Sequence, residues 1–381
     1  MIDIRRFRKS SPSFALLPAL AAAVILAAAA SPAAVRGRAP GPVSVQAGQT
    51  QAVPPSPAPD LNADRLSASE KSEIFTALAL KSALGDKVWP GFDSASIPIV
   101  FYNSKFEFLA GAPRPPAGWD KVAGDELAGG PYFRRAAASP QSFAVKVDPG
   151  WAGSISTPDS MNAKNPIKVS PDLHTVMILH EMFHAFEAVE APKRFAAALD
   201  SYKAEPGYPY GDKDFADAWR AEGAALAGAL KAKDDLDAIA QARKFIEIRD
   251  TRRGNVRLDV PQLEFEREVE WLEGMAEYAE IAFSKLAAGR PGSAPGTTFG
   301  AQLPWLLQWD LVRLEKQLSA EKGDLRFYVS GMAQAFLLDR LDPDWKEQAA
   351  LNTLVLEDQL RRVVLEPGRN PVGRSLPRRN W

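Results

Sequence analysis

The chain has 381 residues, 46% of them apolar and 24% charged, with a net charge of −1. That length can bury a sizeable core in one large domain or two modest ones, and the near-neutral balance gives no support for a nucleic-acid partner or an acidic substrate. Cysteine is absent, which excludes disulfides, thiolate metal ligands, thiol catalysis and a lipid-modified cysteine anchor.

Residues 1–34 read as a targeting segment. Arg5, Arg6, Arg8 and Lys9 form a basic start, Phe14 to Ala30 is an apolar run rich in Ala and broken by Pro18, and small residues follow to Ala33-Ala34. This pattern suits a cleaved secretory signal better than a stable membrane span. Arg8 stands where a twin-arginine signal needs a large apolar residue, so the general secretory route is expected. Export to the periplasm or the extracellular space follows, and membrane contact arises only if the segment stays uncleaved and residues 14–30 anchor the chain. Residues 35–66 are rich in Pro, Ala, Gln and Ser and read as a flexible linker.

Order is expected from residue 67. Ser69-Glu70 opens a helix to about Leu84, and Ile97–Tyr102 and Ser142–Val147 read as strands, with Gly153–Thr157 a candidate third. The segment between Ala110 and Pro140 reads as a long surface loop. A helix starts at Ser170-Pro171-Asp172, which supplies a capping hydroxyl, a first-turn proline and an acid at the positive end; it should stop near Val189, before Pro192. Helices at about 213–232 and 236–249 make an Ala-rich pair. A long helix covers about 262–287, and shorter ones about 303–320 and 329–341. The tail at 367–381 is basic and reads as disordered.

The metal-binding residues lie in the first of these later helices, at His180-Glu181-Met182-Phe183-His184. Two imidazoles four positions apart share one side of a helix and can point at one ion. Glu181 is turned away from that pair, where it can act on water as a general base without binding the ion. The other histidine, His174, is six residues before His180, a rotation of about 240° on a helix, so it cannot face the same ion. With no Cys and no spare His, the third ligand has to be a carboxylate.

Glu273, in Trp271-Leu272-Glu273-Gly274-Met275-Ala276-Glu277-Tyr278, is the leading candidate. Glu266, Glu270, Glu273, Glu277 and Glu280 form one stripe at helical spacing, flanked on both sides by apolar residues. Such a row faces something that needs negative charge rather than water, and a cation answers it. Glu222 in Ala221-Glu222-Gly223 is the rival, 38 residues after His184, but it has neither the Tyr nor the second acid. Glu187, three residues after His184, is expected at the outer edge of its helix.

A helix reading H-E-x-x-H followed by a helix reading W-L-x-E-G-x-A-x-Y, or close to it, resembles the gluzincins, the group that includes thermolysin and the alanyl aminopeptidases. The resemblance implies a zinc metallopeptidase. His180, His184 and Glu273 would bind one Zn2+, Glu181 would be the base, and Glu277 would orient a zinc-bound histidine. It also implies an oxyanion donor. Tyr328, which heads the helix containing Gly331, is the better candidate for the tyrosine the aminopeptidases use, although a plain core tyrosine is the leading reading of it. Tyr278 is expected to pack. Arg249, Arg252 and Arg253 are candidates for a substrate carboxylate or for a solvated loop. The 89-residue gap from His184 to Glu273 and the absence of an Asn before Glu273 depart from the pattern, so the resemblance covers two motifs and not the chain.

The expected fold is α+β and predominantly helical. It is a zincin-like metallopeptidase domain over 67–366, with a small β-sheet preceding the metal-binding helix and a helical insertion at about 213–250. A peptide or protein substrate would lie extended along the Trp151–Thr157 strand. Two alternatives stay open: a zinc hydrolase of another amide or ester, and a non-catalytic metal-binding envelope protein that keeps the fold.

Overall fold

The computed structural model describes residues 63–138, 141–164, 168–294, 296–300, 304–319 and 323–365. The targeting segment, most of the linker and the basic tail lie outside them. The described fold is α+β, mostly helical, with one mixed six-stranded sheet. None of its helices is long and apolar enough to cross a membrane.

Helix α1 (Ala68–Val88) starts slightly earlier than its sequence suggests, because Ser67 rather than Ser69 forms the cap. Its hydroxyl accepts from Glu70 N while the Glu70 carboxylate accepts from Ser67 N at 2.7 Å, a reciprocal capping box. The last linker residues are already pinned to the fold, with Leu66 buried and its N–H donating to the Tyr132 hydroxyl at 3.3 Å.

The sheet contains β1 (Ile99–Tyr102), β2 (Phe106–Ala110), β3 (Asp120–Lys121), β4 (Phe133–Ala136), β5 (Phe143–Val147) and β6 (Gly150–Ser156), in the order β3-β4-β2-β1-β6-β5. The 110–140 segment is therefore not all loop. Its two short strands extend the sheet beyond β2, and β4 has too little alternation to be seen in sequence. All pairs are antiparallel except β1 with β6. Strand β6 lies inside the sheet between β1 and β5, so the Trp151–Thr157 strand expected to take an extended substrate has no free edge for it. The edge strand that packs against the helix of the His pair is β5. Alternation then sorts the side chains: Phe101, Phe108 and Ile155 enter the main core, whereas Val100, Leu109 and Ala152 join a small cluster on the opposite face.

A short helix, α2 (Pro158–Lys164), leads to α3 (Pro171–Glu190), the helix of the His pair. The cap is as expected, with Ser170 Oγ accepting from Leu173 N at 3.3 Å. Asp172 does more than face the helix dipole, because its carboxylate accepts from Ser293 N and Gly300 N, each at 3.0 Å. Every residue of α3 from Asp172 to Ala188 is buried. On the sheet side the approach is so close that a Cβ on Gly153 would fall 2.7 Å from the Glu181 carbonyl carbon. Pro192 does not end helical structure but starts α4 (Pro192–Ser201), which runs into a 3-10 segment at Tyr202–Gly207.

The remaining helices close the other side. Helices α5 (Lys213–Lys231) and α6 (Asp235–Val256) form the Ala-rich pair, and α7 (Val260–Ala287) passes across α3. Helix α8 (Pro304–Val312) continues into a π-helical turn at Arg313–Gln317 that rests on Gly223, where a Cβ would collide with the Leu314 carbonyl oxygen. Helix α9 (Leu325–Leu341) lies along α7, followed by α10 (Trp345–Gln348) and α11 (Leu356–Leu365).

Candidate metal centre

The site forms where α3, between the sheet and α7, turns its His pair toward the acidic stripe of α7. The His180 and His184 rings stand nearly perpendicular with centroids 4.9 Å apart. One ligand atom from each ring and one from Glu273 all lie within 4.8 Å of one another. The four central residues are 1–3% exposed, namely His180, Glu181, His184 and Glu273. The 88 residues between His184 and Glu273 are spanned by the end of α3, by α4, α5 and α6 and by the start of α7, so the sequence gap closes in space.

Each ligand candidate has a partner that orients it. His184 Nδ1 is 3.1 Å from Glu187 Oε2, and its Nε2 is 3.2 Å from Glu273 Oε2. A proton on Nδ1 shared with Glu187 leaves the Nε2 lone pair turned to the site. Glu187 is thus fully buried against His184 and not at the outer edge of the helix. His180 Nδ1 faces two carboxylates, Glu280 Oε2 at 3.4 Å and Glu277 Oε2 at 3.9 Å. Glu277 therefore shares this place with Glu280, which is the nearer. Among the described residues neither His180 nitrogen has a hydrogen-bond partner, although both are buried. With Nδ1 turned to the carboxylates, Nε2 is an orphaned donor atom of the kind a metal ion satisfies.

The electrostatics point the same way. Burial works to raise the Glu273 carboxyl, but the His184 and His180 rings outweigh it and bring its pKa down to about 2. It is therefore held as a carboxylate beside the His pair. Glu280 is pushed up to about 8 and Glu277 well above the carboxylate range, by burial first and then by the charge of Asp310. Arg313 approaches Asp310 at 3.3 Å and Glu277 at 3.8 Å. This density of buried acid is what a cation relieves, and His180, His184, Glu273, Glu277 and Glu280 could together hold and surround a metal ion.

Only part of the acidic stripe faces the His pair. Glu266 and Glu270 turn from the His pair toward arginines of α6. Arg249 holds Glu270 with both Nη atoms, at 2.8 and 2.6 Å, and Arg252 holds Glu266 at 2.6 and 3.1 Å. Arg253 adds a bond to Glu266 at 2.7 Å and one to Glu357 at 2.9 Å. Arg249 and Arg252 are buried, so the sequence expectation of a solvated or substrate-facing loop is corrected. Glu222 belongs to this network. One of its oxygens accepts from Arg249 at 2.9 Å and the other from Arg252, which leaves the rival carboxylate no part in the His cluster.

Three tyrosines border the site. The Tyr328 ring lies parallel to that of His180, with centroids 6.1 Å apart, and its hydroxyl interacts with Glu273. Burial, then the charges of Glu273 and Asp324, push its pKa far up, so the proton stays on the oxygen. Tyr202 donates to Glu273 Oε1 at 3.3 Å and lies 2.8 Å from Asp324 Oδ2. Tyr102 meets Ser142 Oγ at 3.1 Å and, like Tyr328, feels the charge of Glu181. Tyr278 packs away from the site against Phe336 and donates to Asp339 at 2.6 Å. On the sheet side the Phe143 ring of β5 covers His184, with centroids 4.5 Å apart. His174 is turned away as its spacing requires, and bridges Glu73 at 2.8 Å and the Ser156 carbonyl at 3.0 Å.

Sequence reasoning left Glu187 at the helix edge and Glu280 without a role at the His pair, and it missed Tyr202 and Phe143. The first two were readable, since each lies three residues past a site residue on the same helix. Tyr202 and Phe143 come from other elements, and no spacing marks them. Compared with protein-family models, with curated proteins and with solved structures, the chain matches none.

Proposed function

We propose that this chain is an exported zinc-dependent peptidase of gluzincin type, with a zincin-like domain built on α3 and α7. The observation that carries the reading is the buried His180 Nε2, without a hydrogen-bond partner among the described residues, set beside His184 Nε2 and the ionised Glu273. Two imidazoles and one carboxylate are the donor set of catalytic zinc sites that keep one position open. His180, His184 and Glu273 would hold the ion, which when bound supplies a Lewis acid for a carbonyl and acidifies water.

The chain's own residues perform the other parts. Glu181 follows His180 directly, is buried, and its charge is felt by Tyr102 and Tyr328. Its carboxylate would take the proton of the attacking water and return it to the leaving amine. Tyr328 keeps its phenolic proton and would donate it as a hydrogen bond to the carbonyl oxygen as charge develops there. Strand β5 pairs with β6 alone among the described strands, so its outer edge offers backbone groups to an extended peptide beside His184.

Metal content of the purified protein and peptide cleavage by the Glu181→Gln variant test the reading. One zinc per chain, with cleavage lost and zinc retained in the variant, is the expected result. Cleavage that survives Glu181→Gln rules out the mechanism. Stoichiometric zinc with hydrolysis of esters or non-peptide amides alone points to the other hydrolase reading.

A further inference from the structure

We propose that Tyr202 is a positioning residue for Glu273, fixing which carboxylate oxygen the third ligand presents to the metal. The proposal rests on the zinc-site reading above. Glu273 directs Oε2 toward His184 Nε2 at 3.2 Å, while its other oxygen, Oε1, accepts from the Tyr202 hydroxyl at 3.3 Å. A carboxylate with one oxygen occupied in this way is held against rotation and offers the other oxygen alone.

Tyr202 is itself well fixed. It follows α4 directly and opens the 3-10 segment, so its backbone is set by the chain leaving the metal helix. The ring packs edge-on against Phe265, one turn into α7, with centroids 5.5 Å apart. The hydroxyl also lies 2.8 Å from Asp324 Oδ2, at the start of the helix that carries Tyr328. A phenol has one proton, and here it stands between two carboxyl groups. The hydroxyl is shared between them, donating to Glu273 Oε1 and to Asp324 Oδ2. One hydroxyl in this way ties together the chain segment leaving α3, the ligand on α7 and the start of α9.

The test compares wild type, Tyr202→Phe and Tyr278→Phe as full chains. Tyr278→Phe is the control, since it removes a buried phenolic hydroxyl from α7 that bonds Asp339 outside the site. Zinc dissociation constants are measured by chelator competition, and the visible spectrum of the cobalt-substituted protein reports ligand geometry. Zinc affinity of Tyr202→Phe should fall roughly 10- to 100-fold, with a changed cobalt spectrum, while Tyr278→Phe matches wild type in both. The Phe ring keeps the contact with Phe265; should the variant still not fold, Tyr202→Leu makes the same comparison. Wild-type affinity and spectrum in Tyr202→Phe overturn the proposal and leave the zinc-site reading standing. A wild type that takes up no zinc overturns both.

Discussion

Gly274 and Gly331 meet backbone to backbone, and this contact brings Glu273 and Tyr328 into one site. A Cβ on Gly274 would fall 2.5 Å from the Gly331 Cα, and a Cβ on Gly331 would collide with the Glu270 carbonyl oxygen. Helices usually stay about 8–10 Å apart because side chains separate them; here two glycines remove the spacer. Glu273 precedes one glycine, and Tyr328 lies nearly one turn before the other. Gly331→Ala should therefore cost about 1–3 kcal/mol of stability and weaken zinc binding together with it. Urea unfolding and chelator competition on one preparation check this, and a Gly331→Ala variant unchanged in both would show that the helices need no such contact.

The Arg–Glu network behind the site separates structure from metal binding. Glu222, Arg249 and Arg252 are fully or almost fully buried, and breaking such a group by removing one partner leaves uncompensated charge, at a cost of about 3–5 kcal/mol. Glu222→Ala should lower the melting temperature strongly while the folded fraction still binds one zinc with wild-type affinity. Loss of zinc without loss of stability would instead make Glu222 a ligand.

His174 is the histidine whose helical phase excludes it from the site, and the structure gives it a different task. Its ring joins α1 to β6 through Glu73 on one side and the Ser156 carbonyl on the other. A Phe at this position keeps the ring's volume against Phe101 but leaves a buried carboxylate and a buried carbonyl short of a donor. We expect His174→Phe to destabilise the protein by about 3 kcal/mol and to leave zinc stoichiometry at one. Differential scanning calorimetry with metal analysis decides it; a stable variant without zinc would contradict this assignment.

Legibility followed distance along the chain. The metal helix was readable almost to the residue, because capping, proline placement and the i, i+4 histidines are local. The approach of Glu273 to that helix followed from two counts, no cysteine and no spare histidine, and from a stripe of acids between apolar flanks. The same stripe also misled, since periodicity shows that acids share a face but not which cation answers each one. Glu266 and Glu270 lie on the face of Glu273 and are neutralised by arginines of α6, whose sequence looked like a solvated loop. Strand order was hidden for a similar reason: β5 and β6 are both short and apolar, and pairing with β1 alone puts β6 inside and β5 at the edge.

Glu357 gives that network a measurable pH dependence. Burial alone would raise its carboxyl, but Arg249, Arg253, Arg267 and Arg361 outweigh burial and bring the pKa to about 2 from the ordinary 4.5. The folded value is the lower one, so between these two values the unfolded chain binds more protons than the folded chain. Stability from this group is therefore complete above about pH 4.5 and is lost as pH falls toward 2. A difference of this size corresponds to roughly 3 kcal/mol. Glu357→Gln should destabilise the protein at neutral pH and flatten the slope of unfolding free energy against pH between 4.5 and 2. The slope is to be read from urea titrations at several pH values on metal-free protein, so that the carboxylates of the metal site enter wild type and variant alike. An unchanged acid slope in Glu357→Gln would mean that this carboxylate is not held ionised by its arginines.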